Sequence, residues 1–266
     1  MKAVVCTKKV LDPDAVNNYA LEGRLEIGDD GKTMTQTSIP ALMNAYDEQA
    51  IEAVLKLRDA GLDVSLAVVA VGTELADMLK HAAALGADEV TAIDSGGLEL
   101  DNLGVARLLA AYIEKAGADL VLCGRQASDD DQGVVPGFLG ELLGMPVVTV
   151  ARAVDSDGGA TVKVVRVTPD GDETVEVTTP ALVTISNELG EPRYPTMQSK
   201  MRARKKEISQ LSASELGLDE NTLEPMVSMV RQYVPELSGD CEFIGGASPS
   251  ELAGGLVAKL KADQVI

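Results

Sequence analysis

Residues 120–133 read LVLCGRQASDDDQG, and this stretch decides the fold class. Its first four residues, from Leu120 to Cys123, are apolar and typical of a strand that is buried on both faces. A helical pattern over 134–143 follows and ends before Gly144. Ligands of open parallel sheets bind beyond the carboxyl ends of the strands. The loop between this strand and this helix is therefore predicted to border a ligand site.

The alternation of strands and helices continues on both sides of this stretch. Further strands are predicted at 3–7, 64–71, 89–93, 147–150 and 181–186, and helices at 41–60, 74–85 and 103–115. Strands that alternate with helices of this length pair in parallel, and the helices cover both faces of the sheet. The sequence therefore predicts a doubly wound, mainly parallel α/β fold of the Rossmann-like, adenine-nucleotide-binding kind.

The pattern changes after residue 150. Residues 161–168 and 174–179 alternate between apolar and polar, and the turn cluster PDGD separates them, which predicts a β-hairpin within about 154–179. Residues 190–248 are irregular and rich in proline, and a last amphipathic helix is expected at 250–262. We therefore expect a nucleotide-binding domain at 1–189, and at 190–266 an extended C-terminal arm that lies on a partner.

Composition excludes several classes of function. The 266 residues carry a net charge of −19, so nucleic acids and anionic membranes are not expected as partners. No signal-peptide layout and no run long enough to span a bilayer are recognised. Cys6, Cys123 and Cys241 have neither metal-ligand nor disulfide spacing, and the first two fall in strand-like runs, so they are expected to be buried thiols. These features favour the cytoplasm.

The loop after residue 123 carries the strongest functional signal. The start of a helix offers unpaired N–H groups and a positive dipole end to a phosphate, and Gly133 would allow close approach of the backbone. The alternative is that Asp129, Asp130 and Asp131 only cap the helix. Three carboxylates cannot all face a phosphate, so some must turn to a ribose, to backbone N–H groups or to water.

Other candidate sites favour an ordinary structural role. His81 is the single histidine and has no partner placed by the sequence, so neither a catalytic triad nor a histidine metal site is expected. Residues 95–99 resemble the phosphate loop of ATP pyrophosphatases but follow the wrong strand, so a turn is expected there. These residues leave one alternative function open, which is that of a stand-alone enzyme similar to the ATP pyrophosphatases. A basic run at 200–206 is either a solvated face or a surface for an acidic partner.

Six segments together resemble the β-subunit family of electron-transfer flavoproteins. They are VVCTKKV at 4–10, residues 44–52 and 124–131, PALVT at 180–184, NELGEPRY at 187–194 and ARKK at 203–206. The resemblance covers nearly the whole chain. It implies a heterodimer with an α subunit that holds the redox FAD. This FAD would accept electrons from flavin dehydrogenases such as acyl-CoA dehydrogenases. A quinone oxidoreductase or another acceptor then receives them. The chain would be a carrier subunit, and not an enzyme on its own.

The resemblance also implies a second nucleotide in this subunit. It would be AMP in conventional members or a second FAD in electron-bifurcating ones. The residues carried over to this nucleotide are Cys6, Asn44, Ala45, Tyr46, Asp47, Val71, Gly124, Arg125, Gln126, Ala127, Ser128, Asp129, Asp130, Asp131, Gln132, Gly133, Val134 and Val135. Tyr46 matches an aromatic position near the α-subunit flavin. The loop fits neither the conventional nor the bifurcating pattern, so we expect phosphate contacts mainly from backbone N–H groups.

A second matching segment implies a docking loop for partner dehydrogenases. Its residues are Glu191, Pro192, Arg193, Tyr194, Pro195, Thr196, Met197, Gln198, Ser199, Lys200 and Met201. Met197 takes the place of an apolar anchor that is usually Leu, and the two prolines favour an extended, exposed segment. The stretch MQSKM replaces the more frequent LPNIM, so the identity of the partner dehydrogenase stays open.

A nucleotide-sensing module without a redox role is a further alternative for the function of the whole chain.

Overall fold

The computed structural model describes residues 1–35, 37–234 and 241–266. The chain divides into two units, Met1–Gln232 and Tyr233–Ile266. The strands are β1 (Lys2–Thr7), β2 (Lys9–Leu11), β3 (Ala41–Met43), β4 (Ser65–Val71), β5 (Glu89–Asp94), β6 (Leu120–Gly124), β7 (Val147–Ser156), β8 (Thr161–Thr168), β9 (Gly171–Thr178), β10 (Ala181–Ile185) and β11 (Ser209–Ser212). The helices are α1 (Pro13–Leu21), α2 (Ala45–Asp59), α3 (Ala76–Leu85), α4 (Asn102–Ala116), α5 (Val135–Leu143) and α6 (Met197–Ala203) in the first unit, and α7 (Pro249–Ala262) in the second.

A nine-stranded sheet forms the centre of the first unit, in the order β11-β5-β4-β1-β6-β10-β7-β8-β9. All neighbours from β11 to β7 are parallel, and the helical connections after β1, β4, β5 and β6 return the chain to the same end of the sheet, as parallel pairing requires. Successive residues of a strand face opposite sides, so Val5 packs towards α2 and α3 while Val4 packs towards α4 and α5. The predicted doubly wound α/β fold with helices on both faces is confirmed.

The helix predicted over residues 41–60 is wrong at its start. Ala41–Met43 forms a short strand that pairs antiparallel with Lys9–Leu11, and α2 begins only after Asn44. The run Ala-Leu-Met suits a helix as well as a strand, so tertiary pairing decides between them. This strand pair fixes the entry of the chain into α2.

The predicted hairpin is confirmed, and its neighbouring strand is longer than expected. β7 was predicted over 147–150 but continues to Ser156, and it pairs antiparallel with β8, which pairs antiparallel with β9. Val150 has a φ of 60°, and the registers of β7 are irregular close to it. This irregular point separates the parallel part of the sheet from the antiparallel extension.

The structure differs from the division expected at residue 190. Ser209–Ser212 adds a parallel edge strand to β5, and α6 packs against α3 with Ala203 buried. The first unit therefore extends to Gln232. Backbone bonding at a sheet edge needs no apolar pattern, which explains why this strand was not predicted. Part of the irregular region, residues 235–240, lies outside the described residues.

The final helix, predicted over 250–262, is confirmed as α7. Across the described ranges, none of the helices has both the length and the apolar character needed to cross a bilayer.

Candidate functional site

A cavity lies where β1, β4 and β6 end, at the carboxyl edge of the sheet. Its lining consists of Cys6, Thr7, Lys8, Asn44, Asp47, Val71, Asn102, Val105, Leu109, Cys123, Gly124, Gln126, Ala127, Asp130, Gln132, Gly133, Val134, Val135 and Pro136. These residues come from strand ends, from the starts of α2, α4 and α5, and from the loop after β6. The ligand site predicted beyond this strand coincides with a real concavity.

The cavity brings together most residues that the sequence pointed to. Those in its lining are Cys6, Asn44, Asp47, Val71, Gly124, Gln126, Ala127, Asp130, Gln132, Gly133, Val134 and Val135. The remaining ones, which belong to the same two segments but stand outside the lining, are Ala45, Tyr46, Arg125, Ser128, Asp129 and Asp131. Their assignment to a nucleotide stays a prediction.

Asp47 joins three elements at the floor of the cavity. One carboxylate oxygen accepts a hydrogen bond from the Lys8 backbone N–H at 2.8 Å, and the other accepts from the Gly124 N–H at 3.0 Å. Burial raises the pKa of Asp47 to about 7, against the opposing effect of these hydrogen bonds. The end of β1, the start of α2 and the end of β6 are therefore held by one buried carboxyl group.

Gly124 and Asn44 let the loop begin close to α2. A Cβ on Gly124 would lie 2.7 Å from the Cβ of Tyr46, so only glycine permits this approach. Asn44 is buried; its side-chain N–H donates to the Gln126 carbonyl at 2.8 Å, and its oxygen accepts from the Ser128 N–H at 3.3 Å. The first residues of the loop are therefore fixed in place by α2.

The three aspartates of the loop do not cap α5, so that alternative is wrong. The cap residue of α5 is Val134, whose side chain has no oxygen. Lys8 Nζ lies 2.7 Å from an oxygen of Asp129 and 3.2 Å from one of Asp130, and Asp131 accepts from the Gln126 side-chain amide at 2.8 Å. Burial lowers the pKa of Lys8, but the two aspartates outweigh it, so the pKa is raised.

The turn into α5 leaves backbone donors on the cavity wall. Gly133 has a φ of 61°, and a Cβ there would lie 2.8 Å from the Arg125 carbonyl oxygen. Among the described residues, the backbone N–H groups of Gly133, Val134 and Val135 have no hydrogen-bond partner. All three residues line the cavity. Consecutive N–H groups at a helix start form an anion-binding arrangement.

Two cysteines form another part of the cavity wall. Cys6 and Cys123 are register partners on β1 and β6, and both are buried thiols, as predicted. A hydrogen bond with Cys6, together with burial, raises the pKa of the Cys123 thiol. Cys123 therefore contributes a neutral thiol to this part of the wall. Close by, the Arg125 guanidinium stacks 5.7 Å from the centre of the Tyr46 ring.

The segment expected to be an extended docking loop is helical in its second half. Thr196 caps α6, and its hydroxyl accepts from the Ser199 N–H at 3.1 Å, so Met197 stands on a helix and not on a loop. Arg193 fixes the first half to α2 by ion pairs with Glu52 at 2.7 Å and Asp59 at 2.6 Å. The docking role of this segment remains a prediction.

The weaker candidate sites have ordinary surroundings. His81 Nε2 lies 2.9 Å from a carboxylate oxygen of Glu48, between α3 and α2. Residues 95–99 form the expected turn, in which the Gly96 N–H donates to Asp94 at 2.9 Å. Within the described ranges, no group of three or more His, Cys, Asp or Glu residues is arranged to hold a metal ion.

Several lining residues were not identified from the sequence. They are Thr7, Lys8, Asn102, Val105, Leu109, Cys123 and Pro136. Thr7 and Lys8 follow Cys6 at the carboxyl end of β1, and Asn102 begins the helix that follows β5, so the strand-end rule could have found these three. Val105 and Leu109 lie on α4, and only its packing against the sheet brings them to the cavity.

Comparison with known proteins agrees with this architecture. The family described as "Electron transfer flavoprotein domain" matches residues 32–216. The chain is 32% identical to the caffeyl-CoA reductase-Etf complex subunit CarD of Acetobacterium woodii, over 100% of both chains. It is 33% identical to the electron transfer flavoprotein subunit beta of Clostridium acetobutylicum, again over 100% of both. The mouse protein of the same name is 31% identical over 98% of this chain and 97% of its own.

The family match covers more than half of the chain, and several relatives above 30% identity align along its whole length. The expected resemblance is confirmed, and the role that these relatives share is electron transfer. The chain belongs to the electron transfer flavoprotein family and is a β subunit of that family.

Proposed function

We propose that the cavity binds AMP, with its phosphate at the N–H groups of Gly133, Val134 and Val135. The observation that carries the proposal is that these N–H groups have no partner in the part of the chain that the structure describes and belong to residues that line the cavity. Gly124 and Gly133 also allow close approaches within the protein, to Tyr46 and to the Arg125 carbonyl, that a Cβ would prevent, so they fix the shape of the loop that lines the cavity. The apolar lining residues Val71, Val105 and Leu109 offer a surface for a base. AMP would have a structural role here, because it would tie the ends of several strands together.

A second FAD in the same cavity is the alternative. The reason to consider it is that one relative, which aligns over its full length, is a subunit of a caffeyl-CoA reductase-Etf complex. The test is to denature the purified protein with its partner subunit, separate the released nucleotides and count FAD and AMP. One FAD and one AMP per heterodimer support the proposal. Two FAD and no AMP overturn the identity of the nucleotide but not its site.

The proposed complex is a heterodimer in which an α subunit holds the redox FAD. In that complex the chain is a carrier subunit without an enzymatic reaction of its own. FAD would accept and release electrons, and this chain would hold the structural nucleotide and present Tyr46 towards the flavin. We propose the cytoplasm as the location, on the basis of three free cysteines.

Partner dehydrogenases are proposed to dock on α6 and the residues before it. Tyr194, Met197 and Met201 are exposed by 91%, 75% and 64%. Met197 and Met201 are one helical turn apart, so they share a face, and a thioether adapts to an irregular partner pocket. The ion pairs of Arg193 with Glu52 and Asp59 fix this surface to the sheet domain, so it is presented in one orientation.

The donor and acceptor can be tested with the purified heterodimer. An acyl-CoA dehydrogenase, its substrate and the heterodimer are mixed, and reduction of the bound flavin is followed by its absorbance. A quinone oxidoreductase is then tested as the acceptor of these electrons. Flavin that stays oxidised with acyl-CoA dehydrogenases, but is reduced by another flavin dehydrogenase, would replace the donor and keep the carrier role.

A further inference from the structure

Lys8 is a charged residue of the cavity to which neither the sequence pattern nor the family match assigns a role. It is the one Lys or Arg in the lining within the part of the chain that the structure describes. Its backbone N–H donates to Asp47, while its ammonium group donates to Asp129 and Asp130 in the loop after β6. The backbone and the side chain of Lys8 therefore link Asp47 to Asp129 and Asp130, which belong to the acidic loop of residues 129–131.

The acidic loop presents an electrostatic problem for any phosphate ligand. Asp129, Asp130 and Asp131 lie one residue before the segment 133–135, which lines the cavity and whose N–H groups have no partner among the described residues. Asp130 itself lines the cavity, and uncompensated carboxylates so close to a phosphate would repel it. The backbone donors can hold an anion only if these carboxylates are neutralised or turned away.

The contacts of the three carboxylates show how this problem is solved. Lys8 Nζ lies 2.7 Å from Asp129 Oδ1 and 3.2 Å from Asp130 Oδ2, and the amide of Gln126 holds Asp131. The lysine side chain is 42% exposed, so its ion pairs contribute little to folding stability. These ion pairs matter for ligand binding instead, because Lys8 and Asp130 line the cavity in which the phosphate would lie.

We propose that Lys8 is a positioning residue that makes the acidic loop compatible with a phosphate. It supplies the countercharge for Asp129 and Asp130 and draws both carboxylates towards β1, which leaves the N–H groups of 133–135 to face the anion. Lys8 acts through these aspartates and not by touching the ligand. The inference rests on the proposed function, because it concerns the phosphate of the nucleotide bound in this cavity.

The test compares AMP with adenosine, which differ only in the phosphate. Both are titrated by calorimetry into the heterodimer after its nucleotide has been removed. Lys8→Met is expected to weaken AMP binding on the order of tenfold, because two unpaired carboxylates then stand beside the phosphate, and to leave adenosine binding nearly unchanged. In Lys8→Met/Asp129→Asn/Asp130→Asn the repulsion is gone, so AMP affinity should return towards that of the wild type.

A matched control is Lys9→Met, which removes the same charge from the neighbouring residue. The Lys9 ammonium group donates to the Thr73 carbonyl at 2.9 Å and stands outside the cavity, so its loss should leave AMP affinity unchanged. Equal loss of AMP and adenosine in Lys8→Met would overturn the inference, because Lys8 would then only support the fold. A triple variant as weak as Lys8→Met would also overturn it, because Lys8 would then contact the phosphate directly.

The same titration separates this inference from the proposed function. Wild-type protein that binds neither AMP nor adenosine refutes AMP binding itself. Wild-type protein that binds AMP more tightly than adenosine, combined with an unchanged preference in Lys8→Met, refutes only the role of Lys8.

Discussion

Gly133 offers a sharp test of the anion site, because its backbone conformation and its surroundings can be separated. Its φ of 61° is left-handed, which costs a residue with a Cβ about 1–2 kcal/mol. A Cβ would also lie 2.8 Å from the Arg125 carbonyl oxygen, so the loop would have to shift. Gly144 has the same φ of 61°, and a Cβ there meets nothing within 4 Å. Gly144→Ala is therefore a control that has only the conformational cost.

Gly144→Ala should lower the free energy of unfolding by about 1–2 kcal/mol and leave AMP affinity unchanged. Gly133→Ala should lower stability further and also weaken AMP. Displacing one N–H from a charged acceptor costs about 1.5–3 kcal/mol, which is roughly a tenfold to hundredfold loss of affinity. Gly133→Asp should bind AMP more weakly still, because it adds a negative charge to the turn that holds the phosphate.

Calorimetric titration of AMP and urea denaturation of the same preparations provide both quantities. If Gly133→Ala binds AMP as tightly as Gly144→Ala does, the N–H groups at the start of α5 do not hold the phosphate, and the reasoning from their geometry is refuted.

Three further predictions concern other parts of the chain. Met197→Ala should slow electron transfer from a partner dehydrogenase by about tenfold at subsaturating concentration, whereas Gln198→Ala should not, with flavin content unchanged in both; loss of flavin or stability would instead show that Met197 packs inside the heterodimer. The pKa of Asp47 is raised to about 7, so the folded protein keeps a proton on this carboxyl group that the unfolded chain releases above about pH 4. The contribution of Asp47 to stability should therefore decline between pH 4 and 7, by at most about 1.4 kcal/mol per pH unit. Urea denaturation at several pH values should find a smaller decline in Asp47→Asn. Arg193→Met should lower the unfolding free energy by about 1–3 kcal/mol, because it leaves the buried Glu52 carboxylate without its hydrogen-bonded partner. Adding Glu52→Gln should restore part of the loss in the same denaturation assay; no recovery would contradict this account.

The sequence predicted the core strands well because their apolar runs have no competing interpretation. Residues 120–123 and 181–185 are buried on both faces of the sheet, so hydrophobicity alone identifies them. Residues 41–43 and 209–212 are strands for another reason: the first pairs with the short strand Lys9–Leu11, and the second pairs with β5 at the edge of the large sheet. No local pattern records such pairing, so one was predicted as helix and the other as irregular chain.

The site shows the same division between local and tertiary information. The loop at 124–133 could be found because a strand, a glycine and a helix start follow each other directly. The pairing of Lys8 with Asp129 and Asp130 spans more than half of the sheet domain in sequence, and the sequence alone does not give it. The alternative that these aspartates cap the helix failed because Val134 takes the cap position.

The place of β10 in the sheet has a consequence for synthesis of the chain. β10 inserts between β6 and β7, although the whole hairpin precedes it in sequence. Until Ala181–Ile185 leaves the ribosome, β6 and β7 both have open edges, and such edges are prone to pair with other chains. The Arg125 N–H also lacks its acceptor until then, because that acceptor is the Ile185 carbonyl. A nascent chain that pauses before this strand therefore has an unfinished nucleotide loop and an aggregation-prone sheet, so translation speed through residues 150–185 should influence the yield of native protein.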